Sequence, residues 1–296
     1  HTRCLSDWIS DVYSSDLFLG NQAGYQGNTA SNNTAVGYQA LYSNSTSTNN
    51  VAVGYRAAYN GNGSELTAIG FQALYNNTSG YQNTAVGRLA AFSNTTGVVN
   101  TALGEQSLYS NTTGQTNTAV GAGSLRTNDI ASANTAVGYQ SLYSQSGALG
   151  VSNTANGYQA GYNNTTGDGQ LFEGTTAGYC VTTGRANTML GARAGYYVQT
   201  GSNNTHVGYY AGYGGGSLTS GSDNTSLGYE ALYQCNSSQN VGVGTASPSY
   251  KLQVAGTIAS SGGNSIAVYG KTNSDTISNT FYMQNSAGDK AANFQI

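Results

Sequence analysis

Apolar and polar positions in this chain recur with a short, nearly fixed period. The segment Asn33-Thr34-Ala35-Val36-Gly37-Tyr38-Gln39-Ala40-Leu41-Tyr42 returns as Asn134–Tyr143 with a single change, Ser141. Aligned on the central glycine, copies fall at Gly20, Gly37, Gly54, Gly70, Gly87, Gly104, Gly121, Gly138, Gly157, Gly174, Gly191, Gly208, Gly228 and Gly244. Most steps are 16 or 17 residues, and the longer ones end at Gly157 and Gly228. A unit this short cannot bury its own apolar face and must stack on its neighbours. The prediction is an all-β parallel β-solenoid of about 14 coils of roughly 17 residues. At about 4.8 Å per coil it would span roughly 65 Å.

Within one copy, Thr34-Ala35-Val36 and Tyr38-Gln39-Ala40-Leu41-Tyr42 read as two short strands with Gly37 between them. The Ser/Asn/Thr/Gly stretch that follows, such as Ser110–Gly114, is turn chemistry. Strand alternation puts Thr34, Val36, Tyr38, Ala40 and Tyr42 on one side and Ala35, Gln39 and Leu41 on the other, unless the glycine bends the path.

Three columns and one relationship between columns then stand out. The residue before the glycine (Val36, Val53, Ile69, Val86, Leu103, Val120, Val137, Leu190, Val207, Leu227, Val243) is the expected core ladder. Asn33, Asn83, Asn117, Asn153 and Asn224 form a second column whose amides can bond up and down the stack. Tyr42, Tyr59, Tyr75, Phe92, Tyr109, Tyr143, Tyr162, Tyr179, Tyr196, Tyr213 and Tyr233 form an aromatic column. It reads either as a stacked ladder with hydroxyls at the solvent edge or as a strip that grips sugars or another surface.

The last relationship is a traded volume. Where the residue four after the glycine is Leu or Ala, the one two before it is small, as in Ala35/Leu41 and Ala136/Leu142. Where the later residue is Gly, the earlier one is large: Phe18/Gly24, Phe172/Gly178, Met189/Gly195, His206/Gly212. Close packing demands this if the two columns touch, within a coil or across a subunit boundary. Ala155/Gly161 breaks the rule, and Asn156 occupies the expected core column there. The coil at Gly157 is therefore expected to be under-filled and weakest.

Composition agrees with an ordered β-structure. Charged residues are only 7% of the chain, yet 24 tyrosines and many β-branched residues recur in register, unlike a disordered polar sequence. A net charge of −3 without a basic cluster argues against a nucleic-acid partner. No apolar run reaches the roughly 18 residues of a spanning helix, and membrane insertion is not expected. Cys4, Cys180 and Cys235 lie far apart in different columns and read as isolated small residues rather than a disulfide or zinc framework.

Three segments follow. Residues 1–16 do not fit the repeat and resemble translated adapter sequence at the end of a metagenomic gene fragment. They are expected to be a non-native or unstructured leader. Residues 17–245 are the repeat array. Residues 246–296 leave the period as a β-rich connector, with Lys251–Val254 and Ser265–Tyr269 alternating like strands. The only proline, Pro248, lies just past the array, leaving its ladders uninterrupted.

Chemistry-bearing residues are sparse. Asp168, Glu173, Arg185 and Arg193 are the one charged grouping, and Asp168/Glu173 the one candidate pair of carboxylates for glycoside hydrolysis. A solvated local distortion accounts for them more simply. His206 stands alone in the array and reads as a packed histidine; an axial ligand role would need three chains. No phosphate loop, nucleophile elbow or calcium solenoid motif occurs. The chain is read as no enzyme, without cofactor or metal.

The repeated Asn-Thr-Ala-Val-Gly-Tyr-Gln-Ala-Leu, and Asn50-Val51-Ala52-Val53-Gly54 in particular, resembles the head repeats of trimeric autotransporter adhesins. The resemblance implies a left-handed parallel β-roll with three chains side by side. The Tyr-rich second half looks more like related repeats of bacteriophage tail fibres. Asn240–Thr245 with Ser247-Pro248 and Lys251–Val254 is similar to the connector before the intramolecular chaperone of such fibres. These resemblances imply the shaft of a homotrimeric tail fibre, on the virion and extracellular, that meets a host cell-surface glycan or protein receptor. The alternative is a bacterial cell-surface adhesin of the trimeric autotransporter type. An ice-binding solenoid is a third reading, against which stands a single Thr column without a Thr-x-Thr rank.

Overall fold

The computed structural model describes residues 15–26, 29–147, 150–214, 220–234, 238–248 and 251–255. They form a parallel β-solenoid. Fifteen strands, from β1 (Leu17–Leu19) and β2 (Thr34–Val36) to β14 (Val241–Val243) and β15 (Leu252–Val254), pair in chain order in one parallel sheet. Register is like on like: Thr34 pairs with Val51, Ala35 with Ala52 and Val36 with Val53, and the same match continues along the sheet. No helix occurs among the described residues.

Only the first of the two expected strands forms. Residues 38–42 make a turn-rich layer in which Gln39 and Leu41 take left-handed conformations, with φ of 54° and 49°. The pattern repeats in later coils, for example at Gln72/Leu74 and Gln106/Leu108. Such conformations are uncommon for side-chain-bearing residues, but here each satisfies the backbone along the stack. The Gln39 N–H donates back to Asn21 and the Leu41 N–H forward to Ala57, both at 3.0 Å. An ordinary strand alternates its hydrogen bonds with all residues extended; this segment achieves the same ladder with a tighter curve.

The central glycine serves a close approach. At Gly37 φ is +130°, and a Cβ would lie 2.6 Å from the carbonyl oxygen of Gly54 in the next coil. Stacked backbones at this corner leave no room for a side chain.

The core differs from the expected one. Ala35, Ala52, Ala68, Ala85, Ala102, Ala119 and Ala136 are fully buried, as are Leu41, Leu74, Leu108, Leu125 and Leu142. Ala40, Ala57, Ala73 and Ala90 complete this narrow interior. The ladder of Val36, Val53, Ile69, Val86, Leu103, Val120, Val137, Leu190, Val207, Leu227 and Val243 instead points out of the coil. Ile69, Leu103 and Leu227 are 39%, 46% and 51% exposed. In a three-residue strand the first and third residues share a face, so burying the middle alanine expels both Thr34 and Val36. The alternation then fails beyond the glycine, where Ala40 and Leu41 both turn inward.

The traded volumes are contacts within the solenoid. A Cβ on Gly178 would lie 2.3 Å from the Phe172 ring, one on Gly195 2.2 Å from Met189 Sδ, and one on Gly212 2.3 Å from His206 Nδ1. The exception at Gly161 is filled from the neighbouring coils. A Cβ there would meet Phe172 at 2.5 Å and Leu142 at 2.9 Å. One phenylalanine thus serves two glycines, and the coil at Gly157 is not under-filled. Asn156 is exposed rather than in the core, where its Nδ2 donates to Glu173 Oε1 at 2.8 Å. Both reasons for a weak coil at Gly157 are removed.

The asparagine column behaves as expected. Each Oδ1 accepts the next coil's backbone N–H, as in Asn100 to Asn83 at 2.9 Å and Asn117 to Asn100 at 3.0 Å. A second buried ladder, unnoticed in the sequence, links Asn77, Asn94, Asn111 and Asn128 through side-chain amides at 2.7–2.9 Å. In the coil lengthened ahead of Gly157, Gln145 takes that place and accepts from both Asn153 and Asn164.

β15 continues the main sheet, with Val243 paired to Val254. The leader (except Ser15 and Asp16) and the Ser265–Tyr269 strand lie outside the described residues.

Candidate binding surfaces

Three outward features could meet a partner: the strand face, the aromatic ladders, and a cleft that interrupts them. On the strand face, the outward Thr34, Thr67, Thr84 and Thr101 run beside the Val36 ladder, giving a regular Thr/Val surface along the sheet. It is apolar over most of its length. The exceptions are the adjacent Asn156 and Glu173, which bond to each other across one step.

The tyrosine column is a stacked ladder. Rings of Tyr42, Tyr59, Tyr75, Phe92 and Tyr109 follow one another at 4.9–5.4 Å, nearly parallel. The run resumes through Tyr143, Tyr162, Tyr179 and Tyr196 at 5.0–5.2 Å, then passes through Tyr213 to Tyr233. These rings are half-buried. Near the end of the array the ladder broadens, as Tyr197 and Tyr210 meet Tyr213 edge-on. Burial, with a hydrogen bond to Tyr197, pushes the Tyr213 hydroxyl up to about 12.

A second ladder went unrecognised in the sequence. The residue after the central glycine stacks in Tyr38–Tyr55–Phe71, Tyr139–Tyr158 and Tyr209–Tyr229 at 5.2–5.8 Å. These rings are the more exposed set, Tyr139 at 48% and Tyr229 at 66%. The signal was present as an aromatic at that position in half of the copies, but adjacent copies with Arg88, Glu105 and Ala122 obscured it.

The outer ladder is interrupted over Arg88, Glu105 and Ala122, and the inner ladder breaks at the last of these coils. Ala122 stands where a ring of the outer ladder would be, Gly123 where most copies have a longer side chain, and Arg126 in place of a tyrosine. The result is a cleft of about 280 Å³. Arg126 lies over the rings of Tyr109 and Tyr143, at 5.3 and 5.6 Å from their centroids. Its Nε donates to Gln106 Oε1 at 3.0 Å and its Nη1 to the Tyr143 hydroxyl at 3.1 Å.

The charged grouping does not converge. Asp168 pairs with Arg185 at 3.1 Å, Glu173 takes the Asn156 amide, and Arg193 donates to the Tyr210 hydroxyl. Asp168 and Glu173 are thus engaged with different partners. His206 is fully buried inside the coil, with Nδ1 at 2.8 Å from Ser226 Oγ and Nε2 without a partner. Desolvation lowers its pKa to about 4. Facing inward, it is placed to ligate nothing on an axis outside the coil. Cys180 is a free, half-buried thiol that burial pushes up, away from reactivity. Among the described residues no cluster of His, Cys, Asp and Glu is arranged to hold a metal ion. Comparison with protein-family models, with curated proteins and with solved structures finds no match to this chain.

Proposed function

We propose that the chain is the shaft of a homotrimeric tail fibre that carries a virion to its host's surface. One observation supports this most: the ladder of Val, Ile and Leu that leaves the coil and lies exposed along the sheet. Exposed apolar surface of this extent marks an interface. A partner that follows it rung by rung must share its rise and period, and a second copy of the same chain meets that requirement. Isologous or cyclic packing of identical ladders would bury the stripe over its whole length. Three copies, rather than two, follow from the resemblance of the repeat to trimeric adhesin heads and tail fibres. Such a shaft supplies rigid reach, and three parallel chains multiply weak surface contacts into avidity.

Sedimentation of the full chain tests the assembly. The expected particle has about three times the 30.4 kDa chain mass, and the pair Val53→Lys with Val120→Lys should dissociate it into folded monomers. A monomer at tens of micromolar in the unmutated chain would overturn the proposal. The bacterial adhesin reading shares the trimer; sequence flanking the gene separates them, a self-cleaving chaperone marking the fibre and a membrane barrel the adhesin. The flat Thr/Val face also suits the ice-binding reading, which a monomer with thermal hysteresis would favour.

A further inference from the structure

We propose that the cleft at Ala122, Gly123 and Arg126 is a binding subsite for an acidic sugar residue, a uronic acid within a surface polysaccharide. It rests on the attachment reading, since it names the ligand class for that outward surface.

The cleft lies where the outer ladder, absent at Arg88, Glu105 and Ala122, resumes at Tyr139. Along the outer ladder Tyr139 stacks on Tyr158 at 5.5 Å with one face. Its other face looks towards the coil where Ala122 has replaced a ring, and it lines the open space. The ladder's own spacing therefore leaves a slot one ring thick between Tyr139 and Glu105. A pyranose ring presents a flat C–H face and fits such a slot as the absent aromatic would. The volume of about 280 Å³ lies at the low end of ligand pockets and suits one or two sugar units.

The polar groups choose the sugar. Gln106 and Gln140, on the coils either side, offer amides to hydroxyls at the rim. Arg126 holds the floor. It is fixed by Gln106 and Tyr143 and sandwiched by two rings, so its orientation is set before a ligand arrives. It has no carboxylate partner among the described residues, because Glu105 is paired with Arg88. An arginine preorganised in this way, with Nε and Nη1 already engaged, keeps Nη2 to donate to a carboxylate oxygen. The aromatic slot favours a sugar over an acidic peptide, which would leave the Tyr139 face uncovered. Removal of two longer side chains in a single coil, with a cation in place of a tyrosine, is not required by the stacking itself, since the inner ladder stands on either side at Tyr109 and Tyr143.

Calorimetric titration of the full chain with digalacturonate, its methyl ester, and acetyl-Glu-Glu tests the assignment. Digalacturonate should bind with millimolar affinity and at least tenfold more tightly than either control. Ala122→Tyr, which restores the rung and fills the slot, should abolish binding. Arg126→Tyr, which restores the inner ladder, should remove the preference for the acid over its ester. Both variants write the repeat's own residue into its own column and are expected to fold, as far-ultraviolet dichroism would verify. Equal binding of acid and ester, tighter binding of the peptide, unchanged binding in Ala122→Tyr, or no binding of digalacturonate would each overturn the proposal. Sedimentation of the same samples keeps the two readings apart: a trimer that fails to bind sinks the subsite and leaves the shaft.

Discussion

His206 should make this solenoid sensitive to mild acid, and the size of the effect can be worked out. The ring is fully buried between Met189 and Ser226 in the inward column, and its pKa falls from 6.5 to about 4 through desolvation. The folded state thus binds the proton more weakly than the unfolded chain does. Stability from this source is complete above pH 6.5, declines as pH falls below that value, and is lost fully by about pH 4. The interval corresponds to about 3 kcal/mol in all, of which about 2 kcal/mol is gone at pH 5. The informative variant is His206→Met, because Met189 already fills the same column opposite a glycine in the preceding coil. Urea unfolding of both proteins at pH 7.5 and pH 5.0 gives the comparison, in which carboxylates common to both cancel. The unmutated chain should lose about 2 kcal/mol more than the variant. An equal loss in both would show that the imidazole is not held neutral by burial, and the reasoning would fail.

Other expectations follow from the same packing. Phe172→Ala should cost about 3–5 kcal/mol, the range for a buried aromatic, because it empties space against both Gly161 and Gly178. Adding Gly161→Leu and Gly178→Leu restores the pairing used elsewhere and should recover much of it in thermal melts; no recovery would refute the volume trade. Replacing Asn156 and Glu173 together by Val completes the outward stripe and should raise the melting temperature of the assembly, whereas a monomer would gain nothing. Asn117→Ala removes the acceptor for the Asn134 N–H and the donor to Ala131. Leaving those groups unpaired should cost about 1–3 kcal/mol each, read as a shift in urea midpoint.

The period alone was enough to reveal the parallel stack, because in-register identity leaves one arrangement in which every copy has the same surroundings. The asparagine column was legible for a related reason: a short amide at each corner has few partners except its own copies. The inside and the outside of the coil were harder. Apolarity pointed to Val36 and its equivalents as the core, but the coil is too narrow for valine and leucine in the strand. Its interior takes alanine there and leucine only beyond the glycine, where the left-handed turn creates width. The volume trade had already identified those two columns, Ala35 with Leu41 and Phe172 with Gly178. Taken over apolarity, it would have given the correct interior.

The cleft was hidden for a different reason. Charge is the plainest sign of chemistry in a sequence, but the charged Asp168 and Glu173 bond elsewhere. Arg126 is a gap in a tyrosine column rather than a feature of its own. In a repeat protein an ordinary residue carries information only relative to its column. Ala122 and Gly123 are commonplace in a chain with 42 glycines, yet in columns of Tyr and Gln they mark removed volume. Two removals beside a substituted cation, all in one coil, open a space that no single residue predicts. The rest of the array keeps a continuous inner ladder, so a ligand of ring thickness would have a defined place to enter beside Tyr139.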